Sequence, residues 1–117
     1  MLPLVPIVIG LGAVAVGAVP ALRARSRRHE TDAARARARA TCHRLGFGVE
    51  TVAGAGHPQA SEELRRAEER WHTAGALLAR ANTTEECTVA GQVATEGLAH
   101  LERACRLLGV DIPEVRP

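Results

Sequence analysis

The stretch SEELRRAEERWHTAGALLARANTTEECTVAGQVATEGLAHLERACRLLG, residues 61–109, decides the fold. Its first half places Leu64, Ala67, Trp71, Ala74, Leu78 and Ala81 at spacings of three, four, three, four and three, the seam of a helix that packs along its length on another. Ser61 stands where an N-cap is expected, with Glu62 and Glu63 placed to complement the positive end of the helix dipole. Asn82 breaks the pattern. Thr83 and Glu86 then have the spacing of a capping box, which opens a new helix. Its seam runs through Ala90, Ala94, Gly97, Leu101, Ala104 and Leu108, supported by Val93, Leu98 and Cys105, and Gly109 occupies the place of a left-handed C-terminal cap. A connection this short forces the two helices antiparallel, so residues 61–112 read as a helical hairpin.

Twelve large apolar side chains lie between Leu64 and Ile112. Burying them does not offset the ordering of some fifty residues, because each ordered residue costs about 1–2 kcal/mol of backbone entropy. The hairpin therefore needs a third layer, and the candidates are the Arg-rich segment before it, a second copy of the chain, or a partner.

Towards the N-terminus, Gly46, Gly48, Gly54, Gly56 and Pro58 punctuate residues 47–60 and their border, which read as a Gly-rich loop. Residues 23–46 are dominated by Arg and Ala, both strong helix formers, and the segment holds no Pro and no Gly before Gly46. The ARARARA alternation fits a strand by period alone, but Ala offers a sheet little surface to bury, so the helix is preferred. Ala34, Ala38, Cys42 and Leu45 form a thin apolar stripe on it, at helical spacing.

Residues 1–22, MLPLVPIVIGLGAVAVGAVPAL, carry no charged side chain. As a helix they reach about 33 Å, against a hydrocarbon core of about 30 Å. Arg23, Arg25, Arg27 and Arg28 follow with no acidic residue among them, the asymmetry that holds a flank on the cytoplasmic side. The expected topology is a single span with the N-terminus outside and the C-terminal domain cytoplasmic. A cleaved signal peptide is the rival reading, but such a peptide carries its positive charge ahead of the apolar run and this chain has none there. Gly10, Ala13, Gly17 and Ala21 line one face of the segment with small residues, a candidate transmembrane dimer face. Arg23, Arg25, Arg27 and Arg28 are candidate contacts to anionic lipid, and the same four also suffice to set topology.

All fifteen basic residues are Arg. Residues 23–44 hold eight of them against Glu30 and Asp32, a net of +6; residues 45–117 hold seven against eleven acids, a net of −4. Those two sum to the formal +2 of the whole chain and divide it into a basic collar and an acidic body. Phe47 and Trp71 are the only aromatic residues, which disfavours stacking on single-stranded nucleic acid. Cys42, Cys87 and Cys105 form no CxxC pair and read as reduced, structural thiols. His43 and His100 have no companions at metal-ligand spacing. Cys87, near the start of a helix, has a thiolate-favouring position in principle, with packing as its plainer role. Trp71 lies on the seam and is expected in the core. No catalytic, cofactor-binding or metal residues are assigned.

The order of parts, an anchor ending in ALRARSRR, an Ala/Arg helix (DAARARARA), a Gly-rich break, then EELRRAEERW and ALLARA, resembles short single-pass membrane proteins of unknown function in high-GC Gram-positive bacteria. The resemblance is one of layout and implies an anchor and a topology, with no activity. The expected fold is all-α: an N-terminal transmembrane helix (1–22) continuing into an Arg/Ala-rich helix (23–46), then the loop (47–60), an antiparallel helical hairpin (61–112) and a tail (113–117). The expected role is that of a membrane-anchored interaction module rather than an enzyme, with the membrane and a protein partner or second copy as partners and no small-molecule substrate. The alternatives are a basic element that binds anionic lipid or nucleic acid, and an exported protein with a cleaved signal peptide.

Overall fold

The computed structural model describes residues 4–114, with side chains from residue 20 onward. The described chain is helical throughout, with α1 at Leu4–Thr51, α2 at Pro58–Arg80 and α3 at Thr84–Leu108. It divides into two compact units, Met1–Glu30 and Thr31–Pro117. In the first unit every residue from 20 to 30 is exposed. Among the described residues no helix is long and apolar enough to cross a membrane. Most of the span expected at residues 1–22 falls on residues whose side chains lie outside the description, and so do Gly10, Ala13 and Gly17.

The second unit is a three-helix bundle in which the α1 stripe supplies the third layer. Ala34, Ala38, Cys42 and Leu45 are all buried. Cys42 and Leu45 meet Ala67 and Ala74 of α2 and Ala94, Leu101 and Cys105 of α3 in one apolar cluster, and Ala34 meets Ala81 and Cys87 in a second. Helix direction follows from which residues meet. Thr31 faces Thr84, Ala38 faces Gly91 and Gly48 faces Leu101, a constant offset of 53, so α1 and α3 run parallel. Arg35 meets Ala81 while Gly46 meets Trp71, so α2 runs antiparallel to α1, and the hairpin is antiparallel as expected.

The core is built of small residues. Leu45 and Leu101 are the only leucines among its largest fully buried side chains, and Ala60, Ala67, Ala74, Ala90, Ala94 and Ala104 fill the remaining seam positions. Small seam residues bring helix axes close, so stabilisation comes from dense contact rather than from large buried groups. Trp71, Leu64, Leu78, Val93 and Leu98 pack half-buried around this centre. Four of the twelve large apolar residues of the hairpin, Leu77, Val89, Leu107 and Val110, remain exposed.

Two boundaries differ from the sequence expectation. The helix expected to end at residue 46 continues to Thr51, and the loop shortens to residues 52–57. Gly46 and Gly48 are not breakers here but close-approach positions. A methyl group on Gly46 would lie 2.6 Å from Cε2 of Trp71, and one on Gly48 would strike Leu101. The second helix begins at Pro58, not after Ser61. His57 is its N-cap, with Nδ1 accepting from the Ala60 amide at 3.1 Å, and Pro58 at the first helical position has its φ already set for a helix. Ser61 instead donates to the Gly54 carbonyl at 2.6 Å, tying the loop down. Glu62 and Glu63 thus fall beyond the first turn.

The ends of α3 are as expected. Thr83 Oγ1 accepts from the Glu86 amide at 3.1 Å, although the Glu86 carboxylate returns to the Thr83 hydroxyl rather than to a backbone amide. Gly109 adopts φ 71°, and the amide of Val110 reaches the Cys105 carbonyl at 3.0 Å, closing a Schellman motif.

Gly91 and Gly97 separate two kinds of glycine. A methyl on Gly97 would press on Leu45 and lie 2.9 Å from Cβ of Arg70, whereas one on Gly91 would make ordinary contact with Ala38 at 3.6 Å. Gly97→Ala is expected to destabilise the fold by about 1–3 kcal/mol through overpacking. Gly91→Ala is expected to be neutral or to stabilise by up to about 1 kcal/mol, because Ala is the better helix former. Thermal unfolding of the full chain, followed by circular dichroism in neutral detergent, checks the contrast.

Candidate interaction surface

Ala21, Arg23, Arg25, Arg27 and Arg28 are exposed. At about 100° per residue the four arginines spread around the helix instead of gathering on one side. Of the candidate dimer face, only Ala21 falls among residues whose side chains are described.

On α2 and α3, Arg65, Arg66, Arg70 and Arg103 each pair with a glutamate, whereas Arg80, Arg106 and all eight arginines of residues 23–44 have no carboxylate partner among the described residues. The pairs on α2 are tight at their centre: Arg65 bridges Glu62 and Glu69. Hydrogen bonding from Arg65 draws the Glu62 carboxyl down to about 2 and raises the Arg65 guanidinium above its ordinary value. Both groups are solvent-exposed, so this pairing contributes little to stability.

One arginine of the α1 segment has a structural use that the sequence did not announce. Arg35 donates to the Ala81 carbonyl at 2.7 Å. Ala81 is the C-cap of α2, so the guanidinium sits at the negative end of that helix and satisfies one of its orphan acceptors. The same end of the bundle is tied by the hydroxyls of Thr31 and Thr84 at 3.0 Å.

Glu63 and His100 form a further cross-helix polar contact, between α2 and α3. His100 Nδ1 lies 2.7 Å from Glu63 Oε2, and the two side chains keep only 16% and 18% of their surface. Arg66 and Arg103 each stand 3.8 Å from the same carboxylate. The hydrogen bond from His100, then the nearby positive charges, hold Glu63 below the usual carboxylate range against the opposing effect of burial.

Two concavities flank α1. Between α1 and α2, a cleft of about 420 Å3 is lined by His43, Gly46, Phe47, Glu50 and Trp71. Phe47 is 39% exposed, and Trp71 is half-buried rather than sealed in the core, its ring stacked on His72 with centroids 5.2 Å apart. Between α1 and α3, a groove of about 490 Å3 runs over Ala34, Ala38 and Gly91. Its Thr41, Thr88 and Thr95 hydroxyls are turned onto carbonyls of their own helices, at 3.0, 2.9 and 2.9 Å.

The cysteines are free and buried. Burial pushes the thiols of Cys42 and Cys105 up, with Asp111 adding to the shift at Cys105. Cys87 packs with Ala34 and Ala81 in the smaller apolar cluster. Among the described residues no group of His, Cys, Asp and Glu is placed to hold a metal ion. No known protein family, curated protein or solved structure matches this chain.

Two outcomes are expected. Arg35→Gln removes a charge-assisted contact at a helix end and should destabilise the bundle by about 1 kcal/mol, read as a lower thermal midpoint. For Glu63, a folded-state pKa below the unfolded value gives stability that is present above the ordinary carboxylate range and is lost as pH falls through the folded value. Glu63→Gln should therefore flatten part of the acid limb of the stability–pH profile and leave its neutral-to-alkaline slope unchanged.

Proposed function

We propose that this chain is a small membrane-anchored helical protein whose bundle serves as an interaction module. The observation that carries the reading is the order of residues 1–28: twenty-two residues without a charge, then Arg23, Arg25, Arg27 and Arg28 with no acid between them. An uncharged run of that length matches a bilayer core, and the charges on its C-terminal side favour a cytoplasmic bundle. Exposure of every residue from 20 to 30, with Leu22 at 64%, supports it, since that stretch of α1 covers no core. The resemblance of its layout to short single-pass membrane proteins of high-GC Gram-positive bacteria is in keeping with this reading.

Contact of the same four arginines with anionic headgroups is the second reading, favoured by their exposure and by their lack of carboxylate partners among the described residues.

The buried native thiols make poor topology reporters, so the test uses an exposed position, Thr73→Cys on α2. A membrane-impermeant maleimide applied to intact cells is expected to leave this variant unlabelled and to label it once the membrane is permeabilised. The protein should also stay in the membrane fraction after an alkaline wash. Labelling in intact cells, or a mature chain that begins near residue 20, would reverse the topology and make the protein an exported one.

A further inference from the structure

We propose that the face of α1 running through Arg39, His43 and Phe47, together with the cleft over Trp71, docks an acidic, apolar-anchored segment of another protein. The three α1 residues follow one another at four-residue spacing and so share one side of the helix. All three are exposed, and Arg39 has no ion-pair partner among the described residues. Phe47 and Trp71, the only aromatics of the chain, border one cleft, and beyond Trp71 nothing lies within 4 Å of where a side chain on Gly75 would begin. Partly exposed aromatics in a cleft, with an unpaired arginine about two helical turns from Phe47 on the same face, have the composition that anchors protein interfaces.

The cleft is polar at both ends: Glu50 closes one end and His43 the other, with Arg39 one helical turn beyond His43, while Glu68, three residues before Trp71 on antiparallel α2, lies outside the cleft toward the Glu50 end. An occupant therefore takes a direction, with its carboxylates over Arg39 and its apolar side chain against Trp71 and Phe47. Glu50 and Glu68 disfavour a nucleic-acid backbone, whose charge is uniform along its length.

Trp71 is the only tryptophan, so its emission reports on the cleft directly. The full chain in neutral detergent micelles would be titrated with a synthetic helical peptide carrying Glu and Leu on alternate turns and no aromatic residue. The expected result is a shift of Trp71 emission whose midpoint moves to higher peptide concentration as salt is raised, with a polyglutamate of the same charge binding more weakly. Arg39→Gln and Phe47→Ala should each weaken binding about tenfold, while joint Arg23, Arg25, Arg27, Arg28→Gln replacement leaves it unchanged. Arg39 is exposed, so Arg39→Gln tests the site even if Phe47→Ala lowers helicity. The proposal is overturned by an emission that the peptide does not move, or by affinity indifferent to Arg39→Gln. It is equally overturned if a DNA duplex or phosphatidylglycerol vesicles shift Trp71 as strongly as the peptide, an outcome that leaves the anchor reading standing.

Discussion

Gly97 lies where Leu45 of α1 and Arg70 of α2 both close on α3, and no side chain fits between them. That contact sets the separation of all three helices. With the axes held this near, alanine suffices at most seam positions and two leucines fill the centre. Gly46 and Gly48 extend the same constraint along α1, admitting the Trp71 ring and the Leu101 side chain against bare backbone. Interiors packed in this way tolerate added volume poorly, because displaced atoms have no void to enter.

Close packing also determines which groups are left for the surface. Since alanines occupy the seams, several large apolar side chains remain outside, among them Phe47, Leu77 and Val89. Charge is partitioned in a related way. Glutamates and arginines of α2 and α3 neutralise one another along and between those helices, while α1 has Arg35 committed to a helix end and its other arginines free of carboxylates among the described residues. The bundle thus combines a side on which most arginines are paired with a basic one on which none has a carboxylate partner among the described residues.

Much of this fold was legible in the sequence, for a physical reason. The seams of α2 and α3 and the α1 stripe from Ala34 to Leu45 follow helical periodicity closely, and each of their residues is buried or half-buried. Thr83 and Gly109 were legible because caps depend on local chemistry. The errors came from long-range contacts. Gly46 and Gly48 look like breakers until Trp71 and Leu101 are placed against them, and Ser61 looks like a cap until Pro58 and His57 take the position. The Arg35–Ala81 and Glu63–His100 contacts join residues 46 and 37 positions apart, and no spacing rule relates them. Of the candidate site residues, Ala21 and the four collar arginines are exposed, and the small residues preceding them lie outside the described side chains. Phe47 and Trp71 were singled out as the only aromatics, but their shared cleft required the register of α1 against α2.

An odd number of helical passes has a consequence for how the bundle connects its two ends. Thr31 enters beside Thr84, while Val110, Asp111 and Pro113 leave beside Thr51 and Val52, at the opposite end of α1. The twenty residues between Thr31 and Thr51 form a rod of about 30 Å. The bundle is thereby a spacer: the chain leaves it that far from where it enters at Thr31, and a fusion joined after the last helix extends from the end opposite Thr31 and Thr84.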